Sequence, residues 1–401
     1  MGALSNIEQK VVELAAAEPM LDQVLAWSAV NSGSRNLEGL ARMAGLLGDA
    51  FSALPGSTVL VDAAPVDAID ASGKTFDIAH GRNLHLKVRP DAPVQLLLTG
   101  HMDTVFAVNH PFQETRWLDD EVINGPGTAD MKGGIAVMLA ALKAIEASGA
   151  TNLGYEVIIN SDEEVGSLGS APLIAEAARG KKAALTYEPS ALPDGTLAGA
   201  RPGSGNFAIT IRGRSAHAGR NPDDGRNAVL AASDLALRFE KMRKAGLTVN
   251  PAKIDGGSPS NVVPDIAILR VNLRPATPEL EAEANAMIEQ AVAAVSTERE
   301  VRIHLHGGFA RPPKPMTPAA EALFGIVKQA GSDLGQAIGW QSTGGVCDGN
   351  NIAACGVPVV DTMGVRGGKI HSMEEFLIVE SLKERASLSA LTILRLAGGA
   401  A

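Results

Sequence analysis

The sequence predicts an α/β fold: a mainly parallel sheet sandwiched by helices, with a smaller ferredoxin-like α+β unit inserted into it. Three observations predict this. Short continuous apolar runs ("VQLLLTG", "YEVIIN", "AALTY") alternate with helical stretches, as expected of parallel strands buried on both faces. Around residue 200 the texture changes to half-exposed alternation, in β-α-β-β-α-β order. The Pro-rich "RPPKPMTP", Arg311 to Pro318, then reads as a linker returning to the first unit. The expected division is a discontinuous main domain, 1–199 and 313–401, interrupted by an inserted domain at 200–312.

The elements follow in order. The first fifty residues read as two amphipathic helices broken at "NSGSR", the first opened by a capping box of Ser5 and Glu8. From about residue 57 strands and helices alternate: the strand "VQLLLTG", the helix "GGIAVMLAALKAIEAS", the strand "YEVIIN", a helix near "APLIAEAAR" and the strand "AALTY". The inserted unit comprises the strand "GNFAITIRGRSAHAG", the helix "GRNAVLAASDLALRFEKMRK" and strands near "NPAKIDGGS" and "DIAILRVNLRP". A helix, "TPELEAEANAMIEQAVAAVS", and the strand "VRIHLHGG" complete it. A chain of 401 residues, 45% hydrophobic and 20% charged, can bury the cores of two such domains.

Composition also excludes functions. Aromatic residues are only 3% of the chain, the formal net charge is -10 and no Lys/Arg-rich run occurs, so no nucleic-acid partner is expected. The first twenty residues lack an apolar stretch suited to a signal peptide or membrane helix. Cys347 and Cys355 cannot build a disulfide framework and read as reduced structural thiols. A cytoplasmic protein without a membrane partner is the expectation.

In an open α/β sheet, ligands bind beyond the carboxyl ends of the strands. Several groups fall at such ends: His101 and Asp103 after one strand, Glu163 and Glu164 after another, Glu188 after a third. His371 follows "VPVV" in a loop, and Asp130 sits in a Gly-rich turn just before a helix. Singly, each has a plain structural explanation: a helix cap, a solvated acid, a surface imidazole. Together, at one sheet edge, imidazoles and carboxylates without thiolates suit zinc or a similar divalent ion. Two His and three carboxylates suffice for two ions that share one carboxylate, with water completing the coordination.

The ordered series "GHMDTV", "GPGTADMKGG", "SDEEVGS", "YEP", "SAHAG" and "IHS" resembles that of the dinuclear zinc exopeptidases and deacylases. That family includes glutamate carboxypeptidase of the carboxypeptidase G type, acetylornithine deacetylase and succinyl-diaminopimelate desuccinylase. The resemblance covers essentially the whole chain and implies two Zn²⁺ ions, with Co²⁺ or Mn²⁺ able to use the same ligands. It assigns His101 and Glu188 to one ion, Glu164 and His371 to the other, and Asp130 between them. Asp103 matches the acid that orients the ligand imidazole, and Glu163 matches the general base.

The resemblance further implies that His217 stabilises the oxyanion in the active site of a second copy, which requires a homodimer. It puts Asn261 and Arg274 on the substrate's α-carboxylate and the loop of Gly344 and Gly345 along the substrate pocket. Asp162 receives no role. His304 and His306 read as strand-edge residues, and His80, His85 and His110 have no evident partner.

The expected function is hydrolysis of an amide bond in a small acyl-amino-acid or peptide substrate, releasing an amino acid with a free carboxylate. A glutamate carboxypeptidase is the first reading and an N-acyl-amino-acid deacylase of the acetylornithine type the alternative. A non-catalytic binding protein retaining the fold is the reading from another class. The presence of Glu163 beside a full ligand set argues against it.

Overall fold

The computed structural model describes residues 4–149 and 151–398. Its central six-stranded sheet has the order Ser57–Val61, Asn83–Val88, Leu153–Asn160, Val94–His101, Ala183–Thr186, Val359–Val360. Only Asn83–Val88 runs against the other strands of this sheet, so the sheet is mainly parallel as the continuous apolar runs predict. Successive side chains divide between its faces. Leu96, Leu98, Val157, Ile159 and Leu185 enter one core, which includes residues of the helices Gly133–Ser148 and Glu380–Gly398. Leu97, Ile158 and Ala184 enter a second core with Ile174 and Ile352. Each fully buried Leu or Ile contributes about 1.5–3 kcal/mol, so the strands are rigid mounts for whatever their ends carry. The helix Gly133–Ser148 approaches the end of Ala183–Thr186 so closely that a Cβ on Gly134 would lie 2.0 Å from the Tyr187 carbonyl oxygen. Only glycine fits there.

The second sheet is wholly antiparallel, with the order Leu247–Gly256, Ile266–Pro275, Ser204–Arg212, Arg302–Arg311. Its strands and the helices Ala228–Glu240 and Pro278–Glu298 follow the β-α-β-β-α-β plan, around a separate core that includes Ile209, Leu235, Leu269 and Ile288. Ala208 and Ile268, on alternate positions of the strands, instead pack against Ile69 of the hairpin Val66–Ile69/Thr75–Ile78. Where the chain crosses between the two sheets, Arg201 and Lys314 exchange backbone hydrogen bonds of 2.9 Å in both directions.

Three expectations change. The segment from Arg311 is not a solvated linker: Arg311 and Lys314 are buried, and Lys314 Nζ donates to the Gly199 carbonyl at 2.6 Å and lies 3.2 Å from Asp361. The first fifty residues form three helices, Asn6–Ala16, Met20–Ser28 and Leu37–Phe51, because Pro19 lacks an N–H and ends the first where a continuous helix was expected. The Ser5–Glu8 capping box is present. His85 does have a partner, with Nε2 2.6 Å from Glu156. No helix among the described residues is long and apolar enough to cross a membrane.

Candidate active site

Three neighbouring parallel strands end together. Val94–His101 finishes on His101, which pairs in register with Asn160, the last residue of Leu153–Asn160. The turn Glu163–Val165 follows that strand, and Glu188 follows Ala183–Thr186. Asp130 arrives on the turn Thr128–Lys132, entered through Gly127 at φ 71. His371 comes from a loop in which its own backbone is left-handed, φ 63.

The Asp130 carboxylate stands between the two imidazoles: Oδ1 is 3.1 Å from His101 Nε2 and Oδ2 is 3.3 Å from His371 Nε2. His101 Nε2 also faces Glu188 at 3.7 Å, and His371 Nε2 faces Glu164 at 3.0 Å. Each imidazole therefore has one carboxylate of its own and shares Asp130. Ligand atoms of His101, Asp130 and Glu164 lie within 4.8 Å of one another, as do those of His101, Glu163 and Glu188.

Asp103 organises this cluster. Its main-chain carbonyl lies 3.0 Å from His101 Nδ1 and its carboxylate 3.4 Å from the same nitrogen, and the carboxylate accepts Ser34 Oγ at 2.7 Å and the backbone N–H groups of Glu163 and Glu164 at 3.1 and 3.2 Å. The same buried acid thus orients the imidazole and holds the turn that presents both glutamates. Asp162 has a structural task, accepting the Gly169 N–H at 2.7 Å.

Negative charge dominates the site. Burial pushes the Glu163 carboxyl up to about 7, with Glu188 adding to the effect and Arg311 opposing it. Burial, with the charge of Asp130 behind it, pushes Glu164 up to about 8. Burial likewise raises Glu188, whose Oε1 is enclosed without a hydrogen-bond partner. Burial disfavours a charged His101, but Glu188, Asp103 and Asp130 outweigh it and raise its pKa. Bonds to Asp130 and Glu164 lift His371 to about 11, and burial notwithstanding, the two imidazoles hold Asp130 well below the usual carboxylate range. Crowded carboxylates, an orphaned buried oxygen and imidazole nitrogens turned inward are a donor set that fits divalent cations.

Two residues of the site escaped the sequence reading. Arg311 Nη2 lies 2.7 Å from Glu163 Oε1 and donates to the Glu163 carbonyl at 2.9 Å and to Ser167 Oγ at 2.8 Å. Glu375 accepts the backbone N–H groups of Gly127, Ala129 and Asp130 at 3.2, 3.0 and 3.1 Å, fixing the Asp130 turn. Arg311 was hidden by the linker-like prolines after it. Glu375 reads in "HSMEEF" like any solvated acid, and only its burial sets it apart.

Two cavities meet at the cluster. One, of about 500 Å³, has an apolar wall that includes Pro189, Ala191, Val346, Ile370 and Phe376. The other, of about 700 Å³, is polar and carries Asn206, Asn250, Asn272 and Arg274 opposite Glu163 and His371. Gly345 borders both. Gly344 and Gly345 contribute carbonyls, which accept from Arg274 at 2.9 Å and Arg201 at 3.2 Å.

Asn261 and Arg274, expected to clamp one carboxylate, are separated within the chain. Arg274 lies near one end of the strand Ile266–Pro275 and Asn261 precedes the other end, which puts about 26 Å of extended chain between them. Asn261 instead neighbours His217, through its carbonyl's bond to the Ala218 N–H at 2.9 Å and the His217–Val262 bridge. His217 is exposed and lines neither cavity. Its Nδ1 accepts the Gly219 and Arg220 N–H groups at 3.1 and 3.2 Å, which leaves Nε2 as an outward donor.

Comparison with known proteins accords with this geometry. Residues 97–395 match the model of peptidase family M20/M25/M40. Carboxypeptidase G2 of Pseudomonas sp. (strain RS-16) is 31% identical over 338 residues, 81% of this chain and 80% of that protein. Acetylornithine deacetylase of Erwinia tasmaniensis is 30% identical over 241 residues, 55% of this chain and 60% of that protein. The solved aminopeptidase PepT of Bacillus cereus superposes with a TM-score of 0.71 at 24% identity, covering 94% of this chain and 98% of that one. Solved members of the family include a metallo-carboxypeptidase and a dinuclear metal-binding peptidase. The chain belongs to peptidase family M20/M25/M40 and is a metal-dependent enzyme that hydrolyses amide bonds.

Proposed function

We propose that this enzyme is a carboxypeptidase that removes a C-terminal amino acid with a free carboxylate, of the glutamate carboxypeptidase kind, from a small acyl-amino-acid or peptide substrate. The observation that carries the reading is the position of Glu163: a carboxylate beside the His101–Asp130–His371 cluster, bordering both cavities. His101 and Glu188 would hold one Zn²⁺, Glu164 and His371 the other, and Asp130 both, with Co²⁺ or Mn²⁺ as alternatives. When bound, the two ions polarise the scissile carbonyl and acidify the attacking water. Glu163 takes the proton from that water and passes it to the leaving amine. Asp103 fixes the His101 ring and the glutamate turn during this exchange.

Arg274 receives the α-carboxylate of the leaving residue in the polar cavity, and the acyl portion occupies the apolar one. An acetyl group would cover little of the apolar wall of Pro189, Ala191, Val346, Ile370 and Phe376 beside the cluster, which favours a peptidyl or aromatic acyl group over the acetylornithine-type deacylase reading. The outward Nε2 of His217 suits an oxyanion donor, and its distance from Arg274 suits service to a second copy, with Asn261 beside it. A homodimer is also supported by Leu230 and Leu237, 54% and 65% exposed on one face of Ala228–Glu240, and by the open edge of Leu247–Gly256. A reducing compartment such as the cytoplasm suits the two free cysteines.

The test is a hydrolysis screen with added zinc over N-acyl amino acids, dipeptides, folate-type glutamates and acetylornithine. Preferred release of an amino acid from large acyl groups is expected. Preference for acetylornithine would transfer the assignment to the deacylase reading.

A further inference from the structure

The polar cavity contains a hydrogen-bond relay whose direction can be derived atom by atom. Asn206, Asn272 and Asn250 lie directly opposite one another on three adjacent strands, Asn206 against Asn272 and Asn250 against Asn272. All three border the cavity with Arg274. Arg274 Nε, which can only donate, reaches Asn272 Oδ1 at 3.1 Å. Asn272 Nδ2 consequently faces the other way, where it donates to the Gly205 carbonyl at 3.2 Å, to Ser204 Oγ at 3.1 Å and to Asn206 Oδ1 at 2.9 Å. The Gly205 carbonyl can only accept, which fixes the Asn272 amide a second time. The side-chain oxygen of Asn206 is thereby occupied, and its Nδ2 group is the free end of the relay. At the other end, Arg274 Nη1 is bound to the Gly344 carbonyl at 2.9 Å, leaving Nη2 for a ligand.

The relay therefore presents N–H donors at its two ends, Asn206 and Arg274, while the Asn272 and Asn206 oxygens between them are already bound; the Asn250 amide, on the far side of Asn272, borders the same cavity outside the relay. Their Cα atoms lie on a diagonal of the sheet roughly 7–8 Å long, within which side chains on one face converge. That spacing suits two acceptor groups on one amino acid: its α-carboxylate at Arg274 and a terminal side-chain oxygen at Asn206. Resting on the proposed placement of the leaving residue in this cavity, we propose that Asn206, oriented by Asn272 and Arg274, is a specificity-determining residue selecting leaving amino acids whose side chain ends in a carboxylate or carboxamide. An aliphatic or thioether side chain of the same length would leave the Asn206 donor unpaired on substrate binding.

The test uses the full zinc-loaded enzyme and three substrates with a common benzoyl group, N-benzoyl-glutamate, N-benzoyl-glutamine and N-benzoyl-methionine. The side chains are of similar length, so their kcat/KM ratios isolate the terminal group. Wild-type enzyme should favour glutamate and glutamine over methionine by roughly tenfold or more. Asn206→Asp retains an oxygen for Asn272 to donate to but replaces the outward donor with a charged acceptor. The glutamine-to-methionine ratio should fall by roughly tenfold to a hundredfold, and the glutamate ratio further still, through like-charge repulsion. Asn272→Asp keeps the bond from Arg274 but can no longer donate, so Asn206 turns its oxygen to the cavity and the same ratios fall. Unchanged ratios in Asn206→Asp, or a wild-type enzyme indifferent among the three, overturn the inference while leaving the proposed reaction standing. Failure of the wild type to hydrolyse any of them overturns the carboxypeptidase reading, and the inference with it.

Discussion

Arg311 Nη2 lies 2.7 Å from Oε1 of Glu163 and donates to the main-chain carbonyl of the same residue at 2.9 Å. One guanidinium thus fixes both the charge and the backbone of the proposed proton carrier. The same Nη2 lies 3.6 Å from buried Asp348, so Arg311→Met leaves two buried carboxyl groups without their counter-charge, and the apo protein should lose about 3–5 kcal/mol of stability, read by denaturant unfolding. Arg311→Lys should retain more of that stability while lowering kcat, because an ammonium cannot serve the carbonyl, Ser167 and the carboxylate in one plane. Equal kcat in Arg311→Lys and wild type would remove Arg311 from the positioning role.

Glu375 acts one step further from the chemistry, on the backbone of the shared carboxylate Asp130. Glu375→Ala frees three N–H groups and loosens the turn, so zinc affinity should fall about 10–100-fold. Competitive titration with a chelating dye reads this directly. Unaltered affinity would make Glu375 a fold residue only.

Metal removal should be felt most at alkaline pH. The fold holds the Glu163 and Glu164 protons up to about 7 and 8, against an ordinary value of 4.5. His371, held up to about 11 against 6.5, acts with the same sign above that value. Between those limits the folded apo state binds more protons than the unfolded chain, so its stability is full at low pH and declines as pH rises. Zinc requires the deprotonated ligands and removes this penalty. The Tm of chelator-stripped protein should fall from pH 5 to pH 8, and the gain on adding zinc should be larger at pH 8. An equal gain at both would contradict the ligand set.

A site completed by a second copy can be tested by complementation. Glu163→Gln and His217→Ala chains should each be nearly inactive alone. Mixed in equal amounts and allowed to exchange subunits, they should regain about a quarter of wild-type turnover, from the one intact site in each heterodimer. No recovery after demonstrated exchange would restrict His217 to its own chain.

The sequence made the sheet legible because apolar runs such as Leu96–Leu98 bury both faces, and it made much of the cluster legible because His101, Glu164 and Glu188 sit at or just after strand ends. What it concealed has a physical basis. Arg311 and Lys314 follow the composition of a linker, yet buried carboxylates hold them in place. The separation of Asn261 from Arg274 depends on strand length, which a motif comparison does not measure. The Asn206–Asn272 relay depends on cross-strand register, set by pairing between segments more than sixty residues apart.

The proposed mechanism divides the labour between adjacent glutamates, with Glu164 holding metal and Glu163 moving the proton. The direct measurement is zinc content alongside turnover in purified Glu163→Gln and Glu164→Gln enzymes. Glu163→Gln should retain two zinc ions per chain while turnover falls by about 10²–10⁴-fold, and Glu164→Gln should lose zinc. Loss of zinc from Glu163→Gln with retention in Glu164→Gln would reverse the two roles and contradict the account.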